Sequence, residues 1–188
     1  MDPNTDKRLL MDAAQVQQAI ERIADAICSE FFSDGNVTPV AFLGLQTCGI
    51  PLSRRIARLI RERTGYDAPV GTLDISMYRD DIGKRKTLPV IRETVINFDL
   101  NDRILILADD VLQSGRTIRA ALDAVTDYGR PAKIRLATLI DRGMREFPIR
   151  ADYVGANFNA AEDERINTEW AEYNQTDAVY AKKRAAAN

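Results

Sequence analysis

The chain has 188 residues, 45% of them hydrophobic and 29% charged, and a formal net charge of −2. That length suits one globular domain with a full core, and the negative balance excludes a general electrostatic nucleic-acid binder, so such binding needs a local basic patch. The absence of histidine removes imidazole acid/base chemistry, Ser-His and Cys-His nucleophile pairs and histidine metal sites. Cys28 and Cys48 are too few for a zinc site or a disulfide framework. No segment approaches the roughly 20 apolar residues that span a bilayer. The polar opening MDPNTDKRLL has no signal-peptide core, so a reducing cytoplasm is the expected location.

Residues 1–10 read as a loose leader. Asp12 and Gln15 form a capping pair, and Val16, Ile20, Ile23, Ala24, Ile27 and Phe31 recur at helical spacing, which predicts a helix over 13–31. Ser33 to Asn36 break it. Val40 to Leu45 reads as a buried strand, and Gln46-Thr47-Cys48-Gly49 as a tight connection. Pro51 opens a helix over 51–63 with Leu52, Ile56, Leu59 and Ile60 inward. Its arginines at 54, 55, 58, 61 and 63 form a solvated face or a subunit contact.

Val70 to Tyr78 has strand character, and 79–92 is charge-rich, which predicts a mobile loop or hairpin arm. A further strand is expected over 95–100. Ile104 to Ala108 is the clearest buried strand, and the helix after it carries Ile118, Ala121, Leu122 and Val125 on one face. Gly129 ends that helix, Ile134 to Ile140 is another strand, and 141–157 is a polar connection around a short Tyr153-Val154 strand. The tail is acidic, then Ala- and Lys-rich, with Trp170, Tyr173 and Tyr180 as packing anchors and a frayed end over 181–188. Strands alternating with helices predict an α/β fold, a mainly parallel sheet flanked by helices. Ligands of such sheets bind at the carboxyl ends of the strands, where the loops after Leu45, Tyr78, Ala108 and Ile140 gather.

The run ILILADDVLQSGRTIRAALDAV over 104–125 carries the chemistry. A strand delivers Asp109 and Asp110, and a short loop, Gln113-Ser114-Gly115-Arg116-Thr117, opens a helix. Unpaired N–H groups at a helix start favour an anion. Gly115 admits close approach, Ser114 and Thr117 add hydroxyls, and Arg116 adds charge, so the loop reads as a phosphate cradle. Carboxylates repel a bare phosphate but accept from sugar hydroxyls, so the preferred ligand is a sugar phosphate. Neither the P-loop pattern nor G-x-G-x-x-G is present.

This segment resembles the PRPP-binding motif of the type I phosphoribosyltransferases. Three further stretches, Leu73 to Asp81, Asp141-Arg142-Gly143 and Pro148 to Gly155, resemble the PyrR family of pyrimidine operon regulators and uracil phosphoribosyltransferases. The resemblance covers 12–157 of a single domain over 1–188, with 158–188 divergent. It implies the type I fold with a small hood and a flexible loop, Mg²⁺, a homodimer, and the reaction of uracil with PRPP to give UMP and pyrophosphate. By that resemblance Asp109 and Asp110 hold the ribose hydroxyls, directly or through metal, and Gln113 to Thr117 hold the 5′-phosphate. Thr47, Cys48 and Gly49 form the pyrophosphate loop, and Ile140, Asp141 and Arg142 lie near the uracil. The 79–92 loop closes over PRPP, with Arg79 at its start.

Two departures accompany the resemblance. The family's Lys-Thr-Arg-Gly becomes Gln46-Thr47-Cys48-Gly49, which removes two cations from the pyrophosphate loop; Arg79 or the basic residues 84–86 are the available replacements. Cys48 reads as a small residue rather than a reactive thiol. The regulators bind leader RNA, but Gln17, Gln18, Glu21, Asp25, Met144 and Ala156 stand where the family has other, mostly basic, residues, which predicts weak or absent RNA binding. A phosphoribosyltransferase for another base, and a PRPP or nucleotide sensor without turnover, are the rival readings.

Overall fold

The computed structural model describes residues 7–33, 38–80 and 91–183. The predicted break at 34–36, positions 81–90 of the predicted loop and 184–188 of the predicted frayed end lie outside them. In chain order the elements are β1 (Lys7–Met11), α1 (Ala13–Phe31), β2 (Val40–Leu45), α2 (Gly49–Thr64), β3 (Val70–Leu73), β4 (Ile104–Leu112), α3 (Arg116–Val125), β5 (Lys133–Asp141), β6 (Tyr153–Asn157), β7 (Glu164–Glu169) and β8 (Ala178–Lys183). A single turn of 3₁₀ helix, Ser76–Tyr78, follows β3.

Five strands form a parallel sheet in the order β3-β2-β4-β5-β6. Alternate residues of the central strands face opposite sides, as strand geometry dictates. Phe42, Ile106 and Ala137 pack with Ile20, Ile23 and Ile27 of α1 and Leu52, Ile56 and Ile60 of α2. Ala41, Leu43, Leu105, Leu107 and Leu136 pack with Ile118, Ala121 and Val125 of α3. The first helix begins as the sequence predicts: Asp12 accepts from Gln15 N at 2.9 Å and Gln15 Oε1 from Asp12 N at 3.0 Å, a reciprocal capping box. Among the described residues no helix is long and apolar enough to cross a membrane.

Five expectations change. The leader contains β1, and the tail contains β7 and β8; together they make an antiparallel sheet in the order β1-β8-β7. That sheet is the hood, drawn from both ends of the chain. Residues 181–183 belong to β8 rather than to a frayed end. Residues 95–100 form no strand; Val95 makes one antiparallel bridge to Thr72 and the chain then leaves the sheet. The strand character of 70–78 ends at Leu73. Trp170 is buried as an anchor, whereas Tyr173 is exposed.

On the arginine face of α2, Arg55 is clamped to the tail. Arg55 bonds Asp177 through Nη1 at 2.7 Å and Glu172 through Nε at 2.9 Å, and its guanidinium lies 5.1 Å from the centre of the Trp170 ring. Burial alone would raise both carboxyls, but hydrogen bonds from Arg55 outweigh it and hold both below the usual range. A depressed carboxyl stabilises the fold fully above its ordinary value, about 4, and loses that contribution as pH falls through the lower, folded value. The melting temperature is therefore expected to drop on acidification below about pH 4, and to drop less steeply in Arg55→Met. Parallel pH profiles of the two proteins would count against the clamp.

Candidate active site

Strand order reverses between β2 and β4, since α2 leads from β2 to β3 on one side and α3 from β4 to β5 on the other. Loops on the two sides diverge there and leave a crevice at the carboxyl ends. Helix α2 starts hard against β4: a Cβ on Gly49 would stand 2.1 Å from the carbonyl oxygen of Ala108. The Gln46-Thr47-Cys48 loop, whose Gln46–Thr47 peptide is cis, therefore sits directly beside the acids that follow Ala108. A cleft of about 870 Å³ opens above them.

Strand β4 runs four residues past its predicted end because Asp109, Val111 and Leu112 keep pairing with Thr138, Ile140 and Asp141 of β5. The acids thus stand on a rigid strand rather than in a turn. Asp109 is 8% exposed, Asp110 more so, and both line the cleft. Burial, and next the Asp110 carboxylate beside it, raise the Asp109 carboxyl well above the usual range.

The chain then turns through Gly115, whose φ of +89° suits glycine, into α3. Gly115 has no side chain to cap that helix, and Ser114 Oγ accepts from Arg116 N at 3.3 Å, so the next N–H groups, those of Thr117 and Ile118, are the ones the helix start leaves for a ligand. Gln113, Ser114, Gly115 and Thr117 line the cleft. Arg79 also lines it and donates from Nη1 to Thr117 Oγ1 at 3.1 Å. Arg116 behaves differently from the sequence expectation. Its guanidinium turns to Asp80 at 2.6 Å and to Glu146, and stacks over Phe147, so its charge is spent outside the cradle.

The loop is braced from behind by residues whose roles the sequence did not reveal. Arg145 Nη1 donates to Gln113 O at 2.7 Å, its Nε to Ile149 O at 2.8 Å, and its Nη2 pairs with Asp141. Glu146 N and Phe147 N both donate to Ser114 O at 3.0 Å. Arg142 is buried, and its Nη2 donates to the carbonyls of Ala161 and Glu164 at 2.7 Å each, tying the start of β7 to the end of β5. Ile140 is buried too, and Asp141 accepts from Gly143 N at 2.8 Å. The cleft lining does not include Ile140, Asp141 or Arg142, which stand behind it as supports.

The pyrophosphate-loop positions Thr47 and Cys48 line the cleft with Gln46, while Gly49 lies beneath as the first residue of α2. Burial, and then Asp110, push the Cys48 thiol up to about 11, so it is a neutral group at neutral pH and no nucleophile. Cations reach the cleft from elsewhere: Arg79, Arg92 and, from the hood, Arg165. Residues 84–86 lie outside the described residues. The hood lines the cleft with Arg165, Ile166, Asn167 and Thr168, none of which the sequence marked, because nothing in a tail of mixed polarity signals a return to the sheet edge.

Residues 12–169 match the model of the phosphoribosyl transferase domain. The chain belongs to the type I phosphoribosyltransferase family. Within that family it is 51% identical over 162 residues to the bifunctional protein PyrR of Roseiflexus sp. strain RS-1, covering 86% of this chain and 87% of the relative. It is 45% identical over 181 residues to the bifunctional protein PyrR of Thermus thermophilus, covering 96% and 98%. The fold resembles hypoxanthine phosphoribosyltransferase of Trypanosoma cruzi, with a TM-score of 0.69 at 14% identity over 95% of this chain and 97% of that one. It also resembles a hypoxanthine-guanine phosphoribosyltransferase of Bacillus anthracis, with a TM-score of 0.67 at 19% identity over 94% and 98%.

Proposed function

We propose that this phosphoribosyltransferase transfers the phosphoribosyl group of PRPP to uracil, giving UMP and pyrophosphate. One observation carries the reading: the paired carboxylates at the end of β4 and the glycine-led start of α3 meet in a single cleft. That geometry suits a sugar diol next to a phosphate. Gln113, Ser114, Gly115 and Thr117, with the backbone N–H of Thr117, hold the 5′-phosphate, and Asp109 and Asp110 accept from the ribose hydroxyls. A ring nitrogen of uracil bonds to the ribose carbon as the bond from that carbon to pyrophosphate breaks; pyrophosphate leaves with the bonding pair, and the proton lost from the nitrogen passes to it or to solvent. Carboxylates beside the electron-poor carbon stabilise its developing positive charge, and the hood covers the reaction from water.

The donor chemistry fits Mg²⁺. Asp109 and Asp110 are adjacent hard-oxygen groups whose mutual repulsion a divalent cation relieves. Among the described residues no cluster of three His, Cys, Asp or Glu side chains forms a cage, so PRPP oxygens and water would complete the shell. When bound there, the ion supplies charge neutralisation for the departing pyrophosphate. Arg79, Arg92 and Arg165 supply the charge that Gln46 and Cys48 do not.

For the base we assign the free edge of β7 rather than residues 140–142. The Glu164 carbonyl points away from β8 to meet Arg142, so by strand alternation the N–H and C=O groups of Ile166 and Thr168 point the same way. A donor and acceptor row of this kind matches the alternating C=O, N–H, C=O edge of uracil. Resemblance to the PyrR family supports uracil over a purine. Pyrophosphate release from PRPP and Mg²⁺, measured in parallel with uracil, hypoxanthine, guanine and adenine, tests the reading. Release with uracil alone is the expected result; release with a purine overturns the base assignment. No release with any base, while PRPP still raises the melting temperature, favours the sensor, a reading that the uncharged Gln46-Thr47-Cys48 loop motivates.

Weak leader-RNA binding follows from the same residues. Arg63 pairs with Asp25 at 2.9 Å and Arg22 donates to Gly155 O at 2.7 Å, so cations near α1 are engaged within the chain. A homodimer in the cytoplasm is the family expectation.

A further inference from the structure

Thr168 belongs to the hood, yet its hydroxyl donates to Oδ2 of Asp110 at 2.5 Å. The strand that presents it is fastened on both sides. Before Thr168, Arg142 grips the carbonyls of Ala161 and Glu164. After it, Arg55 grips Glu172 and Asp177. A strand held at both ends keeps its hydroxyl in place instead of carrying it away when the cleft fills. Cys48, short and uncharged, lies against the same pair and leaves room for the contact.

A carboxylate has about four acceptor positions on two oxygens, so one bond from Thr168 fixes its rotation and leaves others for a ligand. We infer that Thr168 is a positioning residue: it holds the Asp110 carboxylate in the orientation that accepts a ribose hydroxyl. The inference rests on the PRPP reading. A residue needed only to pack the hood would work equally well as valine, which has the shape of threonine without the hydroxyl.

The test is calorimetric titration of PRPP with Mg²⁺ into the wild type, Thr168→Val and Thr168→Ser, with inorganic phosphate as a second probe that reaches the cradle alone. Thr168→Val is expected to weaken PRPP about tenfold, the size of one hydrogen bond to a charged group, and to leave phosphate binding unchanged. Thr168→Ser should restore PRPP affinity to within about twofold, since its hydroxyl makes the same bond. Melting temperatures within about 2 °C of the wild type identify folded variants. Equal PRPP affinity in the wild type and Thr168→Val overturns the inference, as does an equal loss for PRPP and phosphate. A wild type that does not bind PRPP at all overturns the proposed function instead, and removes this inference with it.

Discussion

Asp109→Asn with Asp110→Asn is expected to abolish PRPP binding and leave the fold intact. Each lost hydrogen bond to a charged acceptor is worth about 1.5–3 kcal/mol. Two such losses weaken binding by about 100-fold or more, since each ~1.4 kcal/mol is a factor of ten. Stability is a different matter. Asp109 is buried against a like charge and pushed toward its neutral form, so a neutral amide of the same shape relieves a cost already present. The melting temperature should hold or rise. Calorimetry with PRPP and a thermal melt decide both halves, and unchanged PRPP affinity in the double variant would remove these acids from the site.

Gly49→Ala should have the largest effect of an alanine placed at any of the described glycines. The new carbon would lie 2.1 Å from the Ala108 carbonyl oxygen and 3.1 Å from its carbon. Both are backbone atoms of the central strand and cannot rotate away. Relief requires α2 to lift from β4, which separates the loop at 46–48 from Asp109. Overpacking of this kind costs about 3 kcal/mol or more, read as a fall in the urea midpoint, with a loss of PRPP affinity alongside. A variant as stable as the wild type would show that the helix start yields more easily than its contacts imply.

Much of the scaffold was legible because its signals are local. The Asp12 and Gln15 cap, the helical spacing from Val16 to Phe31 and the apolar runs at Val40 and Ile104 each report their own element. The carboxylates and the Gly115 loop were legible for the same reason, as one contiguous stretch. The hood was not. Its strands are short and charged, with inward residues such as Met11, Ile166 and Val179 too sparse to show a period, and their partners lie at the opposite end of the chain. Thr168 meets Asp110 across 58 residues of chain, a separation no local pattern reports. Arg116 misled in the opposite sense: a cation beside a phosphate loop invites a ligand role, but Asp80, Glu146 and Phe147 claim it. The strand expected at 95–100 failed because a β-rich composition cannot show that the neighbouring edge offers a single bridge at Thr72.

The pairing of β1 with β8 sets an order of events on the ribosome. Lys7 waits for Lys182, and Arg8 for Ala181, until β8 has emerged. Strands β2, β4 and β5 and the turn at Gly115 are complete long before that. A nascent chain therefore owns the phosphate cradle before it owns the wall that covers the base. Until Ile166, Trp170 and Val179 arrive, the apolar surface of α1 and α2 that they cover faces water.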